Sequence, residues 1–147
     1  MNANTEAKIR QFFEHYERVF NRSLADDTDL NEVAALYASA FIAASPTGVI
    51  TGKNDETLKQ MMAQSYARYR AMGTRRMALR EVATSPIDAQ HCLAHVAWTG
   101  TYARKDQADV AIHFDVHYFI QMLDGEPKVF GWVSGDEEAL LKQHSVI

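Results

Sequence analysis

The feature that most constrains this chain is a change of hydrophobic period at Gly73. Before it, apolar residues recur at helical spacing; after it they alternate, as they do on strands. Ile9, Phe12, Phe13, Tyr16, Val19 and Phe20 form one stripe of a helix read from about Thr5 to Arg22, with Thr5 as its N-cap. A short second helix follows Asp29, whose spacing to Glu32 is capping-box-like, and its buried edge is Val33, Leu36 and Tyr37. A third is capped by Asn54 or Asp55, carries Leu58, Met61, Met62, Ser65, Tyr66 and Tyr69 on one stripe, and stops at Gly73. Between the last two, Phe41 to Ser45 and Val49 to Thr51 read as a small hairpin about Pro46-Thr47-Gly48.

Beyond Gly73 the chain reads as sheet. Arg75 to the Ser85-Pro86 break, Leu93 to Tyr102, Val110 to Leu123 and Lys128 to Ser134 are expected as strands. Their short connections make neighbours antiparallel. Asp136 to Lys142 opens acidic and closes basic, as a short closing helix prefers. Helices followed by strands place the chain in the α+β class. Its 147 residues are enough to bury one core and are read as a single domain, 1–147.

Charge and composition remove several classes of function. The net charge is −4, and Lys and Arg are scattered apart from Arg75-Arg76 and Arg104-Lys105, so no basic stripe faces a nucleic acid backbone. No apolar run reaches the roughly twenty residues of a membrane span, and Met1 to Thr5 lacks the basic head and apolar stretch of a leader, so a cytoplasmic protein is expected. Cys92 is the only cysteine, which excludes an internal disulfide and a cysteine-based zinc site. It has no activating base nearby in sequence.

Three helices around a hairpin, then a long-stranded meander, together with the segment Leu36-Tyr37-Ala38-Ser39-Ala40-Phe41-Ile42-Ala43-Ala44-Ser45-Pro46-Thr47-Gly48, resemble the nuclear transport factor 2-like superfamily. That superfamily includes ketosteroid isomerase and the SnoaL-like polyketide cyclase domains, and the resemblance covers nearly the whole chain. It implies a cone-shaped, curved antiparallel sheet with N-terminal helices closing one face and a short C-terminal helix. It also implies a pocket needing no cofactor and a homodimer formed through the sheet face. His15-Tyr16-Glu17-Arg18-Val19-Phe20-Asn21 is similar to the isomerase helix whose tyrosine polarises the substrate oxygen, which gives that role to Tyr16. The family's aspartate base precedes the turn proline, where this chain has Ser45, and its second oxyanion group falls at Phe119. Neither can do the aspartate's chemistry.

The sharpest chemical constellation lies on the strand Val110 to Leu123. His113, Asp115, His117, Phe119 and Gln121 share one face, while Ile112, Phe114, Val116, Tyr118 and Ile120 share the other. A four-residue turn, Asp124 to Pro127, would put Leu123 opposite Lys128, Phe119 opposite Trp132 and His117 opposite Ser134. A register with His95 opposite His117 would gather two imidazoles and Asp115. Such a face is either a pocket lining or the solvated side of a sheet, and one bulge exchanges the two.

On the pocket reading, Tyr16, Tyr37, Ser45, Tyr66, His95, Phe119 and Trp132 bind a small apolar molecule carrying an oxygen function. His117, oriented by Asp115, is then the proton-transfer group of an isomerase, dehydratase or cyclase-like reaction, with Tyr16 as hydrogen-bond donor. Tyr37, Tyr66 and Tyr69 supply either polar tips to the pocket or bulk to the core. No metal is expected, because His113 and His117 at i, i+4 on a strand stand roughly 13 Å apart. The homodimer would bury an outer face carrying Val116, Tyr118, Ile120, Val129 and Val133. The alternative is a non-catalytic dimeric interaction or assembly module whose cone is filled by its own side chains.

Overall fold

The computed structural model describes residues 2–147. Helices α1 (Ala3–Leu24) and α2 (Leu30–Ala34) lead into the hairpin β1 (Tyr37–Ser45) and β2 (Gly48–Lys53). Helix α3 (Glu56–Ala71) follows, then β3 (Thr74–Pro86), β4 (His91–Arg104), β5 (Gln107–Leu123), β6 (Glu126–Ser134) and α4 (Glu137–Gln143). The period change at Gly73 falls between α3 and β3, where the glycine takes φ 87°, a conformation that ends a helix at little cost.

Each helix start is fixed by a side chain that accepts an otherwise unpaired backbone N–H. Asp29, Asp55 and Asp136 do this for α2, α3 and α4. For α1 the cap is Asn2, which accepts from the Thr5 amide at 2.9 Å, so the helix starts ahead of Thr5. Tyr37, expected on a helix edge, opens β1 instead.

The α+β architecture expected from the sequence is present, as one open six-stranded sheet in the order β2-β1-β6-β5-β4-β3. The sheet is mixed: β1 runs parallel to β6, while all its other neighbouring strands are antiparallel. A meander of short turns can only build antiparallel pairs, but β1 enters beside the last strand through a long crossover, which frees it to run parallel.

The core lies between α1 and one sheet face. Ile9 and Phe13 of α1 and Ala94, Val96 and Ile120 of the sheet have no measurable exposure, with Trp98 at 2%. Burying each large apolar side chain stabilises by about 1.5–3 kcal/mol. The rotation of α1 is fixed by polar clamps as well. Asn21 Nδ2 donates to the Met77 carbonyl at 2.7 Å while its Oδ1 accepts from the Met77 amide at 2.8 Å, and Glu17 accepts from the Leu79 amide. A side-chain amide here takes the place of a further strand on the β3 edge.

Two register details decide which residues face the helices. The β5–β6 connection is a two-residue turn, with φ 52° at Asp124 and 79° at Gly125, so Leu123 pairs with Glu126 and not with Lys128. Further along, Ile120 pairs with Val129 but Phe119 with Gly131, leaving Phe130 as an extra residue. The turn preserves facing; the bulge reverses it for the rest of β6. Trp132 therefore lies opposite Tyr118 on the helix side, and Val133 lies opposite His117 on the other. A second bulge at Arg80 brings both Leu79 and Val82 against the core. The expected outer face is corrected accordingly: Val116, Tyr118, Ile120 and Val129 are buried in the core, and of that set only Val133 faces outward.

Candidate functional site

The helices do not fill the sheet's inner face. A cavity of about 610 Å³ remains between α1, α3, the β1–β2 hairpin and the inner sides of β4, β5 and β6. Nine of its lining residues are aromatic: Tyr16, Phe20, Tyr37, Tyr66, Tyr69, Trp98, Phe114, Tyr118 and Trp132. Val49 and Ile50 of the hairpin also reach it while 62% and 55% exposed, which marks the hairpin as the rim.

At the floor, polar tips meet. Tyr16 and Tyr37 hydroxyls lie 3.1 Å apart, and the Trp98 indole N–H donates to the Tyr118 hydroxyl at 3.2 Å. The Tyr118 hydroxyl also interacts with Tyr16, although the pair falls short of a fully formed hydrogen bond. Burial drives all three phenols above the ordinary tyrosine pKa, because the phenolate would lose its water. Tyr37 and Tyr118 are raised well above it, whereas Tyr16 rises less, since both neighbouring hydroxyls stabilise its charged form. Tyr16 is the one hydroxyl of the three that meets both of the others. Trp132 is held as a wall, stacked on Phe41 at 5.4 Å and tilted against Tyr37 at 5.6 Å.

Glu137 stands at the mouth. Helix α4 is seated by Leu141, 5% exposed, beside Tyr102 and Ile112, and its cap Asp136 accepts from the Ala139 amide. This puts the half-buried Glu137 side chain on the cavity wall, with Tyr69 O–H donating to Oε1 at 3.4 Å. Burial raises its pKa, and the Tyr69 hydrogen bond only partly offsets that. Its charge in turn helps push Tyr102 up to about 12, where burial is the larger cause.

Among the residues expected from sequence, Tyr16, Tyr37, Ser45, Tyr66 and Trp132 line this one cavity. His95, Asp115, His117 and Phe119 do not. They lie on the opposite face of the sheet, so the shared pocket of Tyr16, His117 and Trp132 is not formed. The Phe130 bulge is the reason, because it moves Trp132 to the inner side while His117 stays outside. On that outer face His95 does sit opposite His117, with ring centroids 4.4 Å apart. His95 Nε2 is 3.0 Å from Asp115, whose other oxygen is 3.6 Å from Arg80. Phe119 packs against Phe130 at 5.7 Å. Ser45 is engaged in its own turn, its hydroxyl 2.8 Å from that of Thr47. Trp98, Tyr118 and Glu137 were not anticipated as site residues. The inward parity of Trp98 with Ala94 and Val96 is visible in the sequence, but Glu137 reads there only as a helix-dipole charge.

A family model described as an NTF2-like protein family, DUF6841, matches residues 5–137. The chain belongs to that family. Among curated proteins, none matches this NTF2-like chain. Solved structures do. Aln2 from a Streptomyces species is similar at TM-score 0.69 and 16% identity, over 97% of this chain and 98% of that one. A ketosteroid isomerase-like protein from Erwinia carotovora atroseptica gives TM-score 0.64 and 18% identity, over 92% and 97%. A protein of unknown function with a cystatin-like fold from Nostoc punctiforme gives 0.66 and 13%, over 92% of each chain. At such identities the likeness is one of fold, and the chemistry of this NTF2-like cavity lies in its own residues.

Proposed function

We propose that the chain binds a small, largely apolar molecule carrying an acceptor oxygen, with that oxygen seated against the hydroxyls of Tyr16, Tyr37 and Tyr118. The observation that supports it is a surplus of protons. Trp98, Tyr118, Tyr16 and Tyr37 each bring one donatable hydrogen, four in all, and make at most three contacts with one another. At least one O–H is left facing the cavity, and a buried donor without an acceptor is costly. An oxygen-bearing ligand relieves that cost, while the aromatic walls favour an apolar body. The volume lies within the usual range for small-molecule sites, roughly 300–1,000 Å³. An unfilled cone of this size also argues against an assembly module packed with its own side chains.

The test uses a shape-matched pair, 2-tetralone and tetralin, which differ by one carbonyl oxygen. Tyr16→Phe is expected to lower the ratio of tetralone to tetralin affinity by about 2- to 10-fold, the equivalent of one neutral hydrogen bond. Tetralin affinity itself should hold, which also reports that the variant folds. A ratio unchanged in Tyr16→Phe, Tyr37→Phe and Tyr118→Phe alike would end this reading. A homodimer through the outer sheet face and a cytoplasmic place belong to the same proposal. Val133 and Ile42, about 40% exposed, together with Phe119 and Phe130 give that face an apolar patch.

A further inference from the structure

Among the described residues, the cavity wall holds one carboxylate and no imidazole. Its other polar groups are phenols, aliphatic hydroxyls, indoles and the guanidinium of the exposed Arg68. Of these only a carboxylate titrates below the phenol range, so only Glu137 can take a proton from carbon and return it near neutral pH. The Ser45 hydroxyl, at the turn where a base would stand in the isomerases, has only the Thr47 hydroxyl and amide as partners.

Glu137 is placed for such a task. It is half-buried, meets the cavity from the α4 side, and among the described residues forms no ion pair with a lysine, arginine or histidine within 4 Å. The groups facing it are Tyr69 and Arg68 from α3, Tyr16 from α1, Tyr102 from β4 and Tyr118 from β5, with Asp136 and Glu138 beside it on α4. Apart from the exposed Arg68, none is cationic, so nothing neutralises the carboxylate from inside the protein. Resting on the function proposed above, the geometry points to Glu137 as the proton-transfer residue of this cavity, acting on a C–H adjacent to the carbonyl that the tyrosine hydroxyls hold.

The step balances without any further reagent. Glu137 takes the hydrogen as a proton, the C–H electron pair becomes a carbon–carbon π bond, and the carbonyl π pair moves onto oxygen. The enolate oxygen meets the O–H donors at the floor. Return of the proton from the Glu137 carboxyl to the same carbon regenerates the starting ketone, and return to a conjugated carbon gives its isomer. Burial, which raises the pKa of Glu137, makes it a stronger base than a solvated carboxylate.

The full chain is mixed with 2-tetralone in D2O, and deuterium uptake at the carbon between ring and carbonyl is followed by mass spectrometry. The protein is expected to accelerate uptake over buffer, with a rate that rises with pH through one ionisation lying above the ordinary carboxylate range. Glu137→Gln should lower the protein-dependent rate by about 100-fold or more and abolish that ionisation, while tetralone affinity stays within about threefold. Glu137→Asp should restore part of the rate. Uptake at the wild-type rate in Glu137→Gln overturns the assignment. Tetralone bound with a Tyr16-dependent preference, yet exchanging no faster than in buffer, overturns this inference alone. Absence of tetralone binding overturns the proposed function and this inference with it.

Discussion

Glu137 and Asn21 show how single residues here carry opposite costs. Glu137 takes a proton more readily in the folded chain than in the unfolded one, because burial raises its pKa. Its effect on stability therefore falls as pH rises from the ordinary carboxylate value through the folded pKa. Glu137→Gln removes the titration, so its melting temperature relative to wild type should climb across that window; thermal unfolding at pH 4 and pH 7 measures it, and an equal offset at both pH values would contradict the sign. Asn21 works the other way. Its side chain satisfies both backbone groups of Met77, and Asn21→Ala leaves them unpaired in a part-buried setting. The expected loss is about 1–3 kcal/mol, read from the urea midpoint.

At the scale of elements, the bulge in β6 is the decisive device. Gly131 follows Phe130 there, and a Cβ added to it would stand 2.7 Å from Ile42 Cγ2 and 3.0 Å from both the Ile42 carbonyl oxygen and Phe119 Cδ2. One of those neighbours is backbone, so the contact cannot be relieved by a rotamer change alone. Gly131→Ala is expected to cost about 1–3 kcal/mol and to weaken the β1–β6 pairing. Hydrogen exchange of β1 and β6 amides would show it, and unaltered protection would mean that the paired strands accommodate the added methyl without loosening. The helices were more legible than this. Asp29, and Asp55 as one of two candidates, are legible as caps from sequence because capping is local, whereas a bulge depends on what the partner strand offers and leaves no fixed residue signature.

Over the whole molecule, one sheet divides two chemistries. Its inner face and the helices over it enclose a cavity lined by phenols, indoles and the Glu137 carboxylate; its outer face holds imidazoles, Asp115 and an apolar patch containing Val133. If the outer face joins two copies, Val133→Asp should convert the dimer to a monomer at tens of micromolar while leaving tetralin binding unchanged, by light scattering and titration respectively. A wild-type chain that is already monomeric ends that proposal. The sequence by itself determined the α+β class, the helix stripe that carries Tyr16 and the alternation that makes each strand two-faced. All of these rest on spacing between near neighbours. Tertiary structure decided that β1 runs parallel to β6, that the histidines face away from the cavity, and that Glu137 faces into it. Each of those turns on a one-residue shift or on a docking partner far along the chain or across the sheet, and local periodicity carries no information about either.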